Sequence, residues 1–330
     1  MIRKFIYRLL LGILMALPFL LVGLGVFELV LRSQLQMIHG NFRCLIGSRV
    51  ETSTFAPNCS ADVPTPRGPL NYRSNEDGFR DRARSELSGG AVLVAGDSNV
   101  EGPWLREEET ISRLLEQRLE KKFPFRFLNL GMRGGGPTQQ VVRIYRALDL
   151  YPVKGLIWFL NPTDVLDEIY FHEKNPNYFI KRKDPLRVVA RFEGRNPIWR
   201  WLFQFSSMLG DRMLSLLWFI DRFQLQWNFS RAVEEKKFDP AIHCRGIDHV
   251  AKEFQKNRIP LIFVLISHGP ENRRDSYIGN PIPEGEFEKL ASCATNTGAP
   301  VVRADREFSF KEELFWKNDW HLNPEGEKIF

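Results

Sequence analysis

The sequence predicts an α/β domain built on a parallel sheet with helices on both faces, a three-layer sandwich. Two observations predict it. Short apolar runs recur along the chain, at 91–95, 127–130, 156–160, 261–266 and 301–302. Amphipathic stretches lie between them, at 110–122, 138–150, 241–257 and 284–296. Strands that are apolar throughout and alternate with helices are typical of parallel sheets buried on both faces.

Residues 1–32 are predicted to form a retained membrane anchor. The uncharged apolar stretch from Leu9 to Phe27 follows three basic residues, Arg3, Lys4 and Arg8. As a helix it would extend about 28 Å, close to the hydrocarbon thickness of a bilayer. The basic flank favours a cytoplasmic N-terminus, so the rest of the chain is expected on the periplasmic side of the inner membrane. A cleaved signal peptide is the alternative, but its apolar core is usually shorter.

Two further segments fall outside the strand–helix alternation. Residues 33–90 contain several prolines and glycines, and they are predicted to be an irregular approach to the main domain at 91–330. Residues 166–240 hold half of the tryptophans and an excess of basic residues, which predicts an inserted helical subdomain. It is interpreted as a packing element with a solvated basic face. A lid over the site, or a surface lying on anionic lipid headgroups, is the alternative.

The composition restricts the partners. Apolar residues make up 43% and charged residues 26% of the chain, which is typical of a globular protein. The net charge of +6 suits an anionic membrane or acidic glycans as well as nucleic acid. No zinc-ribbon spacing, basic arm or RNA-binding motif is present, so nucleic acid is not an expected partner.

The four cysteines form no Cys-x-x-Cys pair, so neither a metal site nor a thioredoxin-like motif is expected. In an oxidising compartment Cys44 is a suitable partner for Cys59, and Cys244 for Cys293. The alternative is that some of them are buried free thiols.

A serine and a histidine near opposite ends of the main domain carry the predicted chemistry. Ser98 directly follows the first apolar run, so it is expected at the carboxyl edge of the sheet, where function collects. A serine hydroxyl is a weak nucleophile without a base. His321 is the predicted base, and Asp319 would fix its tautomer and stabilise the imidazolium. The other histidines are interpreted as structural or surface residues.

These segments resemble the SGNH (GDSL-like) hydrolases. Gly96-Asp97-Ser98 with Gly102 matches the first sequence block of that family, 127–136 resembles the second, and Asp319-Trp320-His321 resembles the last. Residues 71–80 resemble the lead-in of membrane-anchored bacterial members. The resemblance spans 70–330 apart from the insertion. It implies a flavodoxin-like sheet and an acyl-enzyme formed on Ser98 without a metal or organic cofactor.

The resemblance also implies an oxyanion hole built from the backbone N–H groups of Ser98 and Gly134 and one side chain. The family's third block is usually Gly-x-Asn-Asp, but here Thr163 occupies the position of its asparagine. Thr163 is therefore one expected donor, and Asn161 is the alternative. A second departure is that Asn318 stands where many members carry the acid, so Asp319, two residues before the histidine, takes that role.

Three hypotheses on function follow. The first is a serine ester hydrolase that removes acyl groups, acetyl foremost, from a cell-envelope glycan or lipid. The second is an O-acyltransferase of an exported polysaccharide with the same site, because pocket shape and water exclusion decide which acceptor resolves the acyl-enzyme. The third is a degenerate domain that serves as a binding module, which the threonine at position 163 motivates.

Overall fold

The structure, a computed structural model, describes residues 12, 15–20, 22–23, 25–26, 45–46, 54–65, 67–87, 89–174, 237–266, 284–307, 312–316 and 321–329. The strands in chain order are β1 (Leu45–Ile46), β2 (Thr54–Phe55), β3 (Ser60–Thr65), β4 (Gly68–Arg73), β5 (Ala91–Ala95), β6 (Arg126–Asn129), β7 (Val153–Leu160), β8 (Leu261–Leu265) and β9 (Val301–Val302). The α-helices with defined bounds are α1 (Ser98–Glu101), α2 (Ile111–Leu119), α3 (Pro137–Leu150), α4 (Pro162–Lys174), α5 (Pro240–His243), α6 (Arg245–Lys256), α7 (Glu284–Asn296), α8 (Ala304–Glu307) and α9 (Pro324–Glu327).

Strands β5 to β9 form a parallel sheet in the order β6-β5-β7-β8-β9. Each of the five predicted strands is present, and the strand order confirms the flavodoxin-like sheet. The chain leaves β5 towards β6 and then returns to β7 on the other side of β5. The strand order therefore reverses at the carboxyl end of β5, and this reversal point is where ligands bind in open α/β sheets.

Helices cover both faces of this sheet, as the alternation of apolar runs and amphipathic stretches predicts. Leu93 and Ala95 of β5 lie in a core that also contains side chains of α3, α6 and α7. Val94 points to the opposite face and packs in a second core with Ile111 of α2 and Leu322 near the C-terminus. Alternate residues of one strand thus serve two cores, which explains why the runs are apolar throughout.

The predicted helix at 241–257 is divided at Cys244, between α5 and α6. Cys244 forms a disulfide with Cys293 of α7, with 5.4 Å between the two Cα atoms. Cys59 is also disulfide-bonded. Its expected partner, Cys44, lies outside the described residues.

The approach segment contains more regular structure than its prolines predict. Strands β3 and β4 pair along six residues each as an antiparallel hairpin, with Pro64 opposite Pro69. A two-stranded hairpin has two free edges, where a residue without an N–H group costs no ladder hydrogen bond. The prolines therefore prevented the prediction of strands from the sequence here, although both strands form.

Two predicted segments fall largely outside the described residues. Of the expected anchor, the described positions between 12 and 26 are helical. Within the part of the chain that the structure describes, no helix has both the length and the apolar character needed to span a bilayer. Of the expected insertion at 166–240, residues up to Lys174 belong to α4 and residues 175–236 are not described.

Candidate active site

Ser98 begins the short helix α1 at the carboxyl end of β5, the position that the sequence predicts for the nucleophile. The Asp97 carboxylate caps this helix, because its Oδ1 accepts a 2.9 Å hydrogen bond from the Asn99 N–H. A Cβ at Gly96 would lie 2.5 Å from Val100 Cγ2 and 3.1 Å from Phe159 Cβ. Only glycine fits there, since the chain turns tightly against the end of β7.

The loop after α1 is fixed by Arg80, which is 3% exposed. Its guanidinium donates a 2.6 Å hydrogen bond to the carbonyl of Glu101 and further ones to the carbonyls of Gly102 and Leu105. The Tyr72 ring lies 4.4 Å from the Arg80 guanidinium carbon. The hairpin and the segment after it therefore support the loop that follows Ser98, a role that the local sequence pattern does not reveal.

Glu101, at the end of α1, is fully buried and paired. Tyr72 donates a 3.0 Å hydrogen bond to Glu101 Oε1, and the Arg133 N–H donates a 3.0 Å hydrogen bond to Oε2. The Arg133 side chain forms an ion pair with the same carboxylate. Burial raises the pKa of Glu101, but Arg133, with Arg80 and Tyr72, outweighs burial and leaves the pKa below its usual range. The carboxylate is therefore ionised and links α1 to the turn after β6.

His321 is brought to Ser98 by a direct link between their neighbours. The Leu322 N–H donates a 3.2 Å hydrogen bond to Asn99 Oδ1. The Trp316 N–H donates a 3.1 Å hydrogen bond to the His321 carbonyl, so residues 316 and 321 of the C-terminal segment are joined to each other. The Trp104 ring stands edge-on to the imidazole, with 4.7 Å between ring centroids and 86° between planes.

Ser98 and His321 line one cleft of about 150 Å³, a volume that includes its open mouth. The other residues that line it are Asn99, Gly102, Pro103, Trp104, Leu105, Trp316, Leu322 and Glu327. Two side chains separated by most of the chain thus line one cleft at the switch point of the sheet. Asp319, the predicted third member, lies outside the described residues.

The two predicted side-chain donors of the oxyanion hole, Thr163 and Asn161, lie beside the nucleophile turn. Asp97 Oδ2 is 3.4 Å from Ser98 Oγ and 3.3 Å from Thr163 Oγ1. Asn161 Oδ1 accepts a 2.8 Å hydrogen bond from the Thr163 N–H and lies 2.5 Å from Thr163 Oγ1. Asn161 Oδ1 therefore caps α4. The Asp97 carboxylate lies between the hydroxyl groups of Thr163 and Ser98 and contacts both.

The turn that carries these residues is held by Asp164. Its Oδ2 accepts a 2.8 Å hydrogen bond from the Asn161 N–H, and its Oδ1 accepts a 2.7 Å hydrogen bond from Gln140 Nε2. Burial, followed by the nearby Asp97 carboxylate, raises the pKa of Asp164 well above its usual range. The two buried carboxyl groups are close enough for Asp97 to oppose the ionisation of Asp164.

Gly134, the predicted backbone donor, lies in the turn after β6. It is exposed and has a φ of +63°, a conformation that favours glycine. It does not line the cleft described above. Its role in an oxyanion hole stays a prediction.

The site is built from hydroxyl, imidazole, amide and carboxyl groups. Among the described residues, no three or more histidine, cysteine, aspartate or glutamate side chains are grouped so that they could hold a metal ion.

Comparisons with known proteins give structural similarity only. No protein-family model matches the chain, and no curated protein matches it. Among solved structures it is similar to AlinE4, an SGNH-hydrolase family esterase, at 16% identity over 73% of this chain and 89% of that chain, with a TM-score of 0.40. It is similar to TesA at 12% identity over 72% of this chain and 92% of that chain, with a TM-score of 0.42. A putative lipolytic protein of the G-D-S-L family from Desulfitobacterium hafniense is 15% identical over 72% of this chain and 94% of that chain, with a TM-score of 0.38.

Proposed function

We propose that the chain is a serine ester hydrolase of the SGNH type, with Ser98 as nucleophile and His321 as general base. The observation that carries the proposal is that Ser98 and His321 line the same cleft at the switch point of the parallel sheet. Acyl transfer requires a serine hydroxyl and a base at one site, and a shared cleft at the end of a parallel strand supports that assignment.

In the proposed reaction His321 takes the Ser98 proton while Ser98 Oγ attacks the acyl carbonyl carbon. The tetrahedral oxyanion accepts hydrogen bonds from the N–H groups of Ser98 and Gly134 and from Thr163 or Asn161. The ester bond then breaks, and the departing alkoxide takes the proton from His321. A water molecule, deprotonated by His321, then attacks the acyl carbonyl carbon; the bond to Ser98 Oγ breaks, Ser98 takes the proton back from His321, and the acid is released. Asp319 orients the imidazole throughout.

The proposed substrates are acyl esters, acetyl foremost, of a cell-envelope glycan or lipid. The proposed location is the periplasmic face of the inner membrane, with segment 1–32 as the anchor. The Cys244–Cys293 disulfide supports a compartment outside the cytoplasm, because such bonds persist where the environment is oxidising. Transfer to a sugar hydroxyl and a purely binding role stay predictions from the sequence.

Labelling with a fluorophosphonate probe tests the proposal in the full-length protein. The wild type is expected to become labelled and to hydrolyse 4-nitrophenyl acetate, and Ser98→Ala is expected to lose both properties. Ser292→Ala is the control, because its hydroxyl donates to the Glu288 carbonyl on an exposed face of α7. Labelling that persists in Ser98→Ala, or a folded wild type that neither reacts nor hydrolyses, would refute the hydrolase proposal.

A further inference from the structure

The cleft that contains Ser98 is closed to substrates in this structure. Ser98 is 6% exposed, and the walls of the cleft stand too close together for a water molecule to fit between them. The proposed reaction places an acyl carbonyl carbon beside Ser98 Oγ, and later a water molecule in the same region. At least one wall of the cleft therefore has to move before an ester can react.

The hairpin of β3 and β4 lies against two aromatic walls of the cleft, Trp104 and Trp316. Trp104 packs on the apolar face of the hairpin, in the cluster that contains Leu70 and Tyr72. Trp316 is contacted from the tip of the hairpin, where the Arg67 guanidinium carbon lies 5.6 Å from the centre of the indole, a cation–π distance. Both indoles line the cleft, so the hairpin supports the walls that separate Ser98 from solvent.

Arg67 also joins the tip of the hairpin to the main domain through an ion pair with Glu109. Its Nη1 lies 2.9 Å from Glu109 Oε1, and its Nη2 contacts Oε2. Glu109 ends the short 3-10 turn that precedes α2. The Arg67 and Glu109 side chains are 44% and 22% exposed, so water and dissolved ions reach the pair. Ion pairs with this exposure are weak, and salt screens them.

The base of the hairpin is held more firmly than its tip. Tyr72 is fully buried, its hydroxyl donates a 3.0 Å hydrogen bond to Glu101, and its ring lies against the Arg80 guanidinium. At the same end the Ser74 N–H donates a 3.0 Å hydrogen bond to the Cys59 carbonyl. Buried hydrogen bonds to a charged group are stronger than an exposed ion pair. The tip can therefore separate from the main domain while the base stays in place.

We propose that the β3–β4 hairpin is a lid over the cleft and that the Arg67–Glu109 ion pair is its latch. While the pair is formed, Arg67 keeps the Trp316 indole against the cleft. When the pair separates, the tip lifts, the indole turns aside and an ester reaches Ser98. The inference rests on the proposed function for the ester, but the opening of the lid does not depend on hydrolysis. The alternative is that the hairpin is a fixed support for the two tryptophans.

The rate at which a fluorophosphonate probe labels Ser98 in the full-length protein measures how often the lid is open. Arg67→Met keeps a long apolar side chain beside Trp316 and removes the charge. It is expected to raise the labelling rate at low salt roughly two- to fivefold, and Glu109→Gln is expected to raise it in the same direction. Added salt is expected to raise the wild-type rate towards that of Arg67→Met and to leave the variant unchanged.

Glu288→Gln is the matched control. Glu288 forms an ion pair with Arg303 in which the side chains are 42% and 22% exposed, and neither residue lines the cleft. Its labelling rate and salt response are expected to equal those of the wild type. An unchanged or lower rate in both Arg67→Met and Glu109→Gln would overturn the lid in favour of a fixed support. An equal rise in Glu288→Gln would overturn it as well, because the effect would then not be specific to the hairpin.

Amide hydrogen exchange separates this inference from the hydrolase proposal, because it requires no reaction at Ser98. In Ser98→Ala protein, adding Arg67→Met is expected to accelerate exchange at the N–H groups of Trp316 and Leu322, which lie beside the cleft, and to leave the central strand β7 unchanged. This result would support the lid even if the wild type is never labelled. Identical exchange with and without Arg67→Met would overturn the lid even if the wild type hydrolyses esters.

Discussion

The Leu322 N–H donates a 3.2 Å hydrogen bond to the side-chain oxygen of Asn99, across a sequence separation of 223 residues. The two partners are the residues that directly follow His321 and Ser98. This bond therefore links the segment that bears the proposed base to the turn that bears the proposed nucleophile. The sheet alone does not hold the two halves of the site together, because His321 belongs to a segment after β9.

Asn99→Ala is expected to lower activity more than stability. Without the acceptor for the Leu322 N–H, the segment that bears His321 loses its register to Ser98, and a buried N–H is left unpaired at a cost of about 1–3 kcal/mol. We expect kcat for 4-nitrophenyl acetate to fall at least tenfold, since small misplacements of catalytic groups are costly. Asn99→Asp, which keeps an acceptor oxygen, is expected to recover part of the loss. An unchanged kcat in a folded Asn99→Ala protein would contradict this.

Arg80→Met is expected to destabilise the loop that follows Ser98. The substitution removes the donors of three backbone carbonyls, those of Glu101, Gly102 and Leu105, and hydrogen bonds from a charged group contribute about 1.5–3 kcal/mol each. We expect the free energy of unfolding to fall by about 3 kcal/mol or more in denaturant titration. Arg84→Met serves for comparison, because the Arg84 side chain is 43% exposed. Equal losses in the two variants would argue against a special role for Arg80.

Thr163→Val decides which side chain completes the oxyanion hole. If the Thr163 hydroxyl stabilises the oxyanion, Thr163→Val is expected to lower kcat about 10²-fold or more in a protein that still folds. Thr163→Ser is expected to restore most of the rate. If Thr163→Val retains its rate while Asn161→Ala loses it, Asn161 is the donor and the register inferred from the sequence is shifted by two residues.

The stability of the chain is expected to depend on pH through Asp81. Burial raises the pKa of Asp81 to about 6, although the N–H groups of Asn129 and Arg82 lower it. Because the pKa in the folded protein lies above the unfolded value, Asp81 stabilises the fold most at low pH. This stabilisation is lost as the pH rises through about 6. The free energy of unfolding of the wild type, minus that of Asp81→Asn, should fall by up to about 3 kcal/mol between pH 4 and 7. A pH-independent difference would show that Asp81 stays ionised.

The sheet was predictable because each strand is recognisable from its own consecutive apolar residues. The runs that become β5, β6, β7 and β8 have residues in both cores, so these strands could be located from their apolar character alone, as Leu93 and Val94 on opposite faces illustrate. The position of Ser98 followed from the same reasoning, since a residue directly after a parallel strand lies at its carboxyl edge. The nearness of His321 came from the family resemblance, because no local pattern connects residues so far apart.

The burial of Arg80 and Glu327 was not predictable in this way. A single arginine in an irregular stretch, or a glutamate in a short terminal helix, is usually a solvated surface residue. Their burial depends on how the hairpin and the C-terminal helix pack around one loop. The hairpin itself was missed because prolines at 64 and 69 normally interrupt strands. Among the described residues β3 and β4 pair only with each other, and such edge strands tolerate proline.

The Arg80 contact with three carbonyls has a practical consequence for dissecting the chain. A fragment cut at the start of the parallel sheet, at Ala91, would retain the proposed nucleophile and the C-terminal histidine but would lose the guanidinium that fixes the loop between them. We expect such a fragment to be poorly folded around Ser98 and to react slowly with the probe. A minimal working unit therefore has to contain Arg80 and the hairpin that supplies Tyr72, and so has to begin before Ser60.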